Sequence, residues 1–184
     1  MLRTSLRDIN MKDLDKIFKW RNQEHIRNVM LNNNEISWDE HINWYINLQE
    51  NKNKLSKIFI IEEMEYGVLN VNITDKEANT CTWGFYIGEN SSLKGAGLLL
   101  GYTSLEFIFK GLEIRKLCAE VIGTNEISRN FHEKLGFKLD GTLRKHIKRV
   151  DNYEDIYVYS LFLEEWEEYS DSIKKELEER FSSL

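Results

Sequence analysis

Cysteine is scarce in this sequence, with two in 184 residues. Cys81 and Cys118 both sit inside apolar strand patterns, so each reads as a buried free thiol rather than part of a disulfide framework. No zinc-ligand spacing occurs. Long apolar runs are also missing: nothing approaches the roughly twenty residues of a membrane span, and no signal peptide opens the chain. A cytoplasmic, metal-free protein is therefore expected. Excess positive charge is absent, the net charge being −6. That balance argues against a general nucleic-acid binder and leaves room only for a local basic patch. The phosphate-loop pattern Gly-x-x-x-x-Gly-Lys-Ser/Thr does not occur.

What is present suits one folded domain with a real core: 41% hydrophobic and 12% aromatic residues. The chain is organised around residues 82–101. Trp83, Phe85 and Ile87 alternate with Thr82, Gly84 and Tyr86, the period of a strand, and Gly88 ends it. Gly95-Ala96-Gly97 follows, then apolar residues at helical spacing from Leu98 to Phe109. A glycine-rich turn ahead of a helix offers free backbone N–H groups and the positive end of the helix dipole. Its simplest ligand is a phosphate or diphosphate. A dinucleotide fold fits poorly, because the third glycine, Gly101, is one place late and several strands precede the turn.

In chain order, 2–10 reads as an edge strand and 13–21 as a short amphipathic helix closed by Trp20-Arg21-Asn22. The loop 28–36, which includes Met30, is rich in asparagine. Ser37 and Glu40 form a capping box, and Ile42, Tyr45, Ile46 and Leu48 are the expected buried side of the helix that follows. Residues 58–61 and 67–73 are strands. After the central helix, 116–122 is a buried strand containing Glu120. Residues 125–135 are a helix stopped by Gly136. Residues 138–143 and 155–163 are strands flanking a basic connection, 144–152, which reads as a solvated hairpin able to attract a diphosphate. His25, His41 and His146 read as surface residues. From 164 a charged helix places Trp166, Tyr169, Ile173, Leu177 and Phe181 on one side, as core or as a homodimer contact. A single domain, 1–184, with a helical extension at about 164–184 is expected.

Two motifs in this order bring a family into view. Ser92-Leu93-Lys94-Gly95-Ala96-Gly97 resembles the diphosphate loop of the Gcn5-related N-acetyltransferases, Gln/Arg-x-x-Gly-x-Gly/Ala, with Ser92 where Gln or Arg is usual. Asn125, Ser128, Phe131 and Gly136-Phe137 resemble the second signature of the same family, with His132 where Tyr is usual. The segments 83–88, 20–22 and 143–159 are similar to the acetyltransferases of pseudaminic acid synthesis, which acetylate the 4-amino group of a UDP-linked amino-dideoxy sugar. The resemblance implies an α/β fold with a mixed, twisted sheet, helices on both faces, and fourth and fifth strands splayed around acetyl-coenzyme A.

It also implies roles. The backbone of Lys94, Gly95, Ala96, Gly97 and Leu98 would bind the diphosphate. The edge at Phe85 and Ile87 would pair with the pantetheine arm, with Asn125 and Ser128 beside it and Phe131 packed on it. Glu120 would be the base, its pKa raised by burial; the competing reading is an outward-facing strand glutamate. An N–H near Tyr86 or Ile87, freed by a bulge, would stabilise the oxyanion. His132 would protonate the leaving thiolate, or else only pack, with Tyr86 as the second donor. Trp20, Arg21, Asn22 and Met30 would face a small-molecule amine acceptor, with neither nucleic acid nor membrane as partner. The alternatives are an acetyltransferase for a protein N-terminus or a polyamine, and an idle acyl-coenzyme A-binding module.

Overall fold

A computed structural model describes residues 2–89 and 93–182. Ser92, the departure from the loop motif, lies outside the described residues. The order begins β1 (Thr4–Asp8), α1 (Leu14–Arg21, after a 3-10 turn at Met11–Asp13), α2 (Glu24–Arg27), α3 (Trp38–Glu50), β2 (Lys54–Ile61), β3 (Met64–Asp75) and β4 (Thr80–Ile87). It continues with α4 (Ala96–Glu106, widening to a π turn at Phe107–Gly111), β5 (Lys116–Ile122), α5 (Glu126–Lys134), β6 (Lys138–Lys148), β7 (Tyr153–Phe162) and α6 (Leu163–Arg180).

The strands form one sheet in the order β1-β2-β3-β4-β5-β7-β6. All neighbours are antiparallel except β4 and β5. Those two pair only from Thr80–Lys116 to Thr82–Cys118. Beyond that point β4 continues for five residues with β3 alone, and β5 continues with β7 alone. The expected splay is present, and it opens on the carboxyl ends of both strands.

Strand alternation sorts the side chains. Phe59, Leu69, Trp83, Leu117, Ala119 and Val121 face the main core, closed by α4, α5 and α6. Ile58 and Val68 face a smaller core under α1 and α3. Because both faces are covered, 58–61 is a continuous apolar run rather than an alternating one. Trp166, Ile173 and Leu177 of α6 and Phe181 just past its end are all buried in the main core, and Trp166 Nε1 donates to Glu106 Oε1 at 2.9 Å.

Several expectations are corrected. In α3 the buried residue is His41, at 2% exposure, while Ile46 is exposed. His41 Nε2 meets the Leu14 carbonyl at 3.0 Å, its ring stacks on Trp44, and it is therefore no surface histidine. The strand expected to end at 143 runs on to Lys148. Cys118 is half-buried, on the face opposite Cys81.

Candidate active site

The candidate site is the mouth of the splay, and the glycine-rich turn expected to bind a diphosphate forms one wall. Gly95 caps α4 with φ of +101°, a left-handed conformation that favours glycine. The turn bonds Ala96 N–H to Leu93 O and Leu98 N–H to Gly95 O. These two amides, expected to serve the diphosphate, are thus already engaged. Among the described residues the N–H groups of Gly95 and Gly97 have no such backbone partner. A Cβ on Gly97 would meet nothing within 4 Å, so the approach to its backbone is open. This cradle fits a diphosphate on two donors plus the helix dipole.

The second wall is α5. Asn125 Oδ1 accepts from Ser128 N–H at 3.0 Å and caps the helix, leaving its Nδ2 for a ligand. Gly136, at φ +92°, ends it as expected. Phe131 lies across the gap against Phe85, centroids 5.3 Å apart, and packs on α4 at Gly101, where a Cβ would stand 2.7 Å from its ring.

Between these walls the outer edge of β4 from Trp83 to Ile87 has no strand partner. Its N–H and C=O groups are available to an extended amide-bearing arm. Within the paired register of β3 and β4 an irregularity lies at Ile73/Asp75, and just past Ile87 the N–H groups of Gly88 and Glu89 both meet Tyr66 O, at 2.9 and 3.0 Å. Two successive amides on one carbonyl mark a bulge at the very end of β4, one residue past Ile87, while the splay supplies the open donors of the strand itself.

His132 does not fit the role of acid. It is 4% exposed. Its Nε2 accepts from Trp83 Nε1 at 3.2 Å, and its Nδ1 donates to the Ser128 carbonyl at 2.7 Å. Both ring positions are satisfied by a neutral imidazole, and burial pushes its pKa down to about 4. The ring joins Trp83, Phe137 and Tyr159 in an aromatic cluster that supports the cleft floor.

Glu120 is exposed, which corrects the expectation of a buried base. It lies two residues past Cys118, the last β5 residue paired with β4, with its side chain on the sheet face of Gly84 and Tyr86. On that face a cavity of about 260 Å³ opens beside β4. It is lined by Ile17, Arg21, Met30, Ile36, Trp44 and Tyr86, among others. Burial raises the Tyr86 pKa well above the usual phenol value, against the opposing pull of Arg21, so the hydroxyl stays protonated.

Arg21 Nη2 donates to Asn32 O at 2.6 Å, whereas its buried Nη1 has no partner among the described residues. Desolvation lowers the Arg21 pKa, yet a guanidinium remains charged.

Trp20 and Asn22, expected on the acceptor side, do other work. Trp20 is 4% exposed and lies against Gly88, where a Cβ would sit 2.2 Å from its ring. Asn22 exchanges two bonds of 3.0 Å with the backbone of Ile36, pinning the loop that forms the cavity roof. Arg149, from the basic hairpin, donates to the carbonyls of Met30 and Leu31 and steadies the same loop. His41, Trp44 and Glu40 also line the cavity. The sequence offered no signal for them, since a helix pattern does not tell which side will face a cavity.

Comparison with known proteins agrees with this geometry. The sequence profile of the acetyltransferase (GNAT) domain matches residues 3–138. Acetyltransferase PseH of Campylobacter jejuni (strain 81-176) is 29% identical over 133 residues, 72% of this chain and 81% of that protein. Among solved structures, the spermidine N-acetyltransferase of Vibrio cholerae in complex with CoA and spermine superposes with a TM-score of 0.82. It is 18% identical, over 89% of this chain and 97% of that one. An N-acetyltransferase from Staphylococcus aureus Mu50 gives 0.72 at 25% identity, over 88% and 99%. Among the described residues no cluster of three metal-ligating side chains occurs, and no helix is long and apolar enough to cross a membrane.

Proposed function

Because the chain belongs to the GNAT acetyltransferase family, and so is an acetyl-coenzyme A-dependent N-acetyltransferase, we propose that its acceptor is the 4-amino group of a UDP-linked amino-dideoxy sugar. The observation that carries this reading is the Arg21 Nη1 group, buried and unpartnered in a largely apolar cavity at the open edge of β4. A buried donor without a partner costs about 1–3 kcal/mol until a ligand satisfies it. A hydroxyl or phosphate oxygen does so; the ammonium of a polyamine cannot. Among the described residues the one carboxylate lining the cavity is Glu40, and it spends Oε2 on the amide and hydroxyl of Ser37. An apolar wall of Ile17, Met30 and Ile36 suits the methyl group of a deoxy sugar. The polyamine reading has support from the spermidine N-acetyltransferase fold, but at 18% identity that likeness concerns the fold alone.

Acetyl-coenzyme A supplies the acetyl thioester, and the chain supplies positioning and proton traffic. Gly95 and Gly97 donate to the diphosphate, and the free edge of β4 holds the arm. A gap-side N–H of the same edge faces the developing oxyanion. Glu120 takes the proton that the acceptor ammonium must lose, directly or through a water. Tyr86, kept protonated by burial, donates a hydrogen bond to the departing thiolate, which takes its proton from solvent.

The test is a screen of amines with thiol release as readout, comprising the UDP amino sugar, spermidine and an N-terminal peptide. Turnover of the sugar, with the others at background, is expected. Acetylation of spermidine alone overturns the acceptor.

A further inference from the structure

The end of α6 lies on the diphosphate loop. A Cβ built on Gly95 would stand 2.9 Å from Arg180 Cδ, 3.0 Å from Phe181 Cζ and 3.2 Å from Arg180 Nη1. Phe181 is buried in the main core and fixes this approach. Arg180 is oriented by Glu176, whose Oε1 accepts from Arg180 Nη2 at 2.9 Å and from Lys134 Nζ of α5 at 2.7 Å. One carboxylate thus ties the last turn of α6 to the wall of the cleft and aims a guanidinium at the glycine turn.

We propose that Arg180 is a coenzyme-binding residue: its guanidinium reaches over Gly95 and pairs with the phosphates seated at the start of α4. This rests on the reading of that turn as the diphosphate loop. The physical case is one of donors converging on one point. The N-terminus of α4 presents free N–H groups and a partial positive charge, and Lys94 stands in the same turn. Glu176 engages only Nη2 of Arg180, so among the described residues Nη1, the nitrogen facing Gly95, is left to an incoming anion. Arginine matches phosphate oxygens with a planar pair of donors, which an ammonium does not. Gly95 therefore serves twice, allowing the left-handed turn and leaving room for the Arg180 stem.

Titration with coenzyme A alone tests this without naming an acceptor. In Arg180→Gln the dissociation constant should rise about tenfold, the scale of one charge-assisted bond. Its salt dependence should become shallower. Arg180→Lys should recover part of the loss, and the melting temperature should hold in both variants. Equal affinity in Arg180→Gln and the parent chain overturns the assignment. So does weakening accompanied by a lower melting temperature that Arg180→Lys shares in full, since that is the mark of a packing role. Absence of coenzyme binding by the parent chain sinks the diphosphate-loop reading itself.

Discussion

His132 is held at both ring nitrogens, and that decides its charge as well as its role. Burial pushes its pKa down to about 4, against about 6.5 in an unfolded chain. The unfolded state therefore binds the proton first as pH falls. Stability from the neutral ring is complete above pH 6.5 and is lost as pH drops toward 4, by on the order of 3 kcal/mol. His41, also lowered by burial, acts in the same direction. In His132→Gln, whose amide oxygen can still accept from Trp83, urea titrations should show a flatter acid limb. Turnover should stay within about tenfold of the parent, where loss of a general acid costs about 10²- to 10⁴-fold. Glu120→Gln is the contrasting case. It should lower kcat by about 10²-fold or more and leave coenzyme affinity unchanged; unchanged turnover removes Glu120 from the mechanism.

At the scale of elements, the site depends on how β4 parts from β5. Gly88 lets the strand end pass under Trp20, and Gly101 lets Phe131 of α5 settle on α4. Both are close approaches that a methyl group would fill. Gly88→Ala places that methyl 2.2 Å from the Trp20 ring. It should cost about 1–3 kcal/mol by overpacking, read as a lower urea midpoint at unchanged slope. The loop over the cavity is held by Asn22 from one side and Arg149 from the other, so the cavity has a braced roof. Short strands and a capping box were legible locally, and the Ser37–Glu40 box is present with both bonds made. The brief helix α2 was not, since four residues show no period.

At the scale of the molecule, α6 is part of the main core. It buries Trp166 completely, and Leu177 with it. Trp166→Ala should cost about 3–5 kcal/mol and lower the melting temperature, with the Glu106 carboxylate losing its indole partner. Removing residues 163–184 should abolish cooperative unfolding, because the underside of α4 would be laid open to water.

The sequence by itself determined the order of elements, the glycine turn ahead of α4, the two family signatures and the splayed pair they imply. These are local patterns: a period, a cap, a residue that alone tolerates positive φ. Tertiary structure alone decided which polar groups are spent and which are free. It turned Trp20 and Asn22 into scaffold, closed both nitrogens of His132, put Glu120 in solvent, left Arg21 Nη1 unpaired and brought Arg180 to Gly95. Each of these outcomes depends on a partner from a distant part of the chain, and burial and hydrogen bonding are properties of the pair.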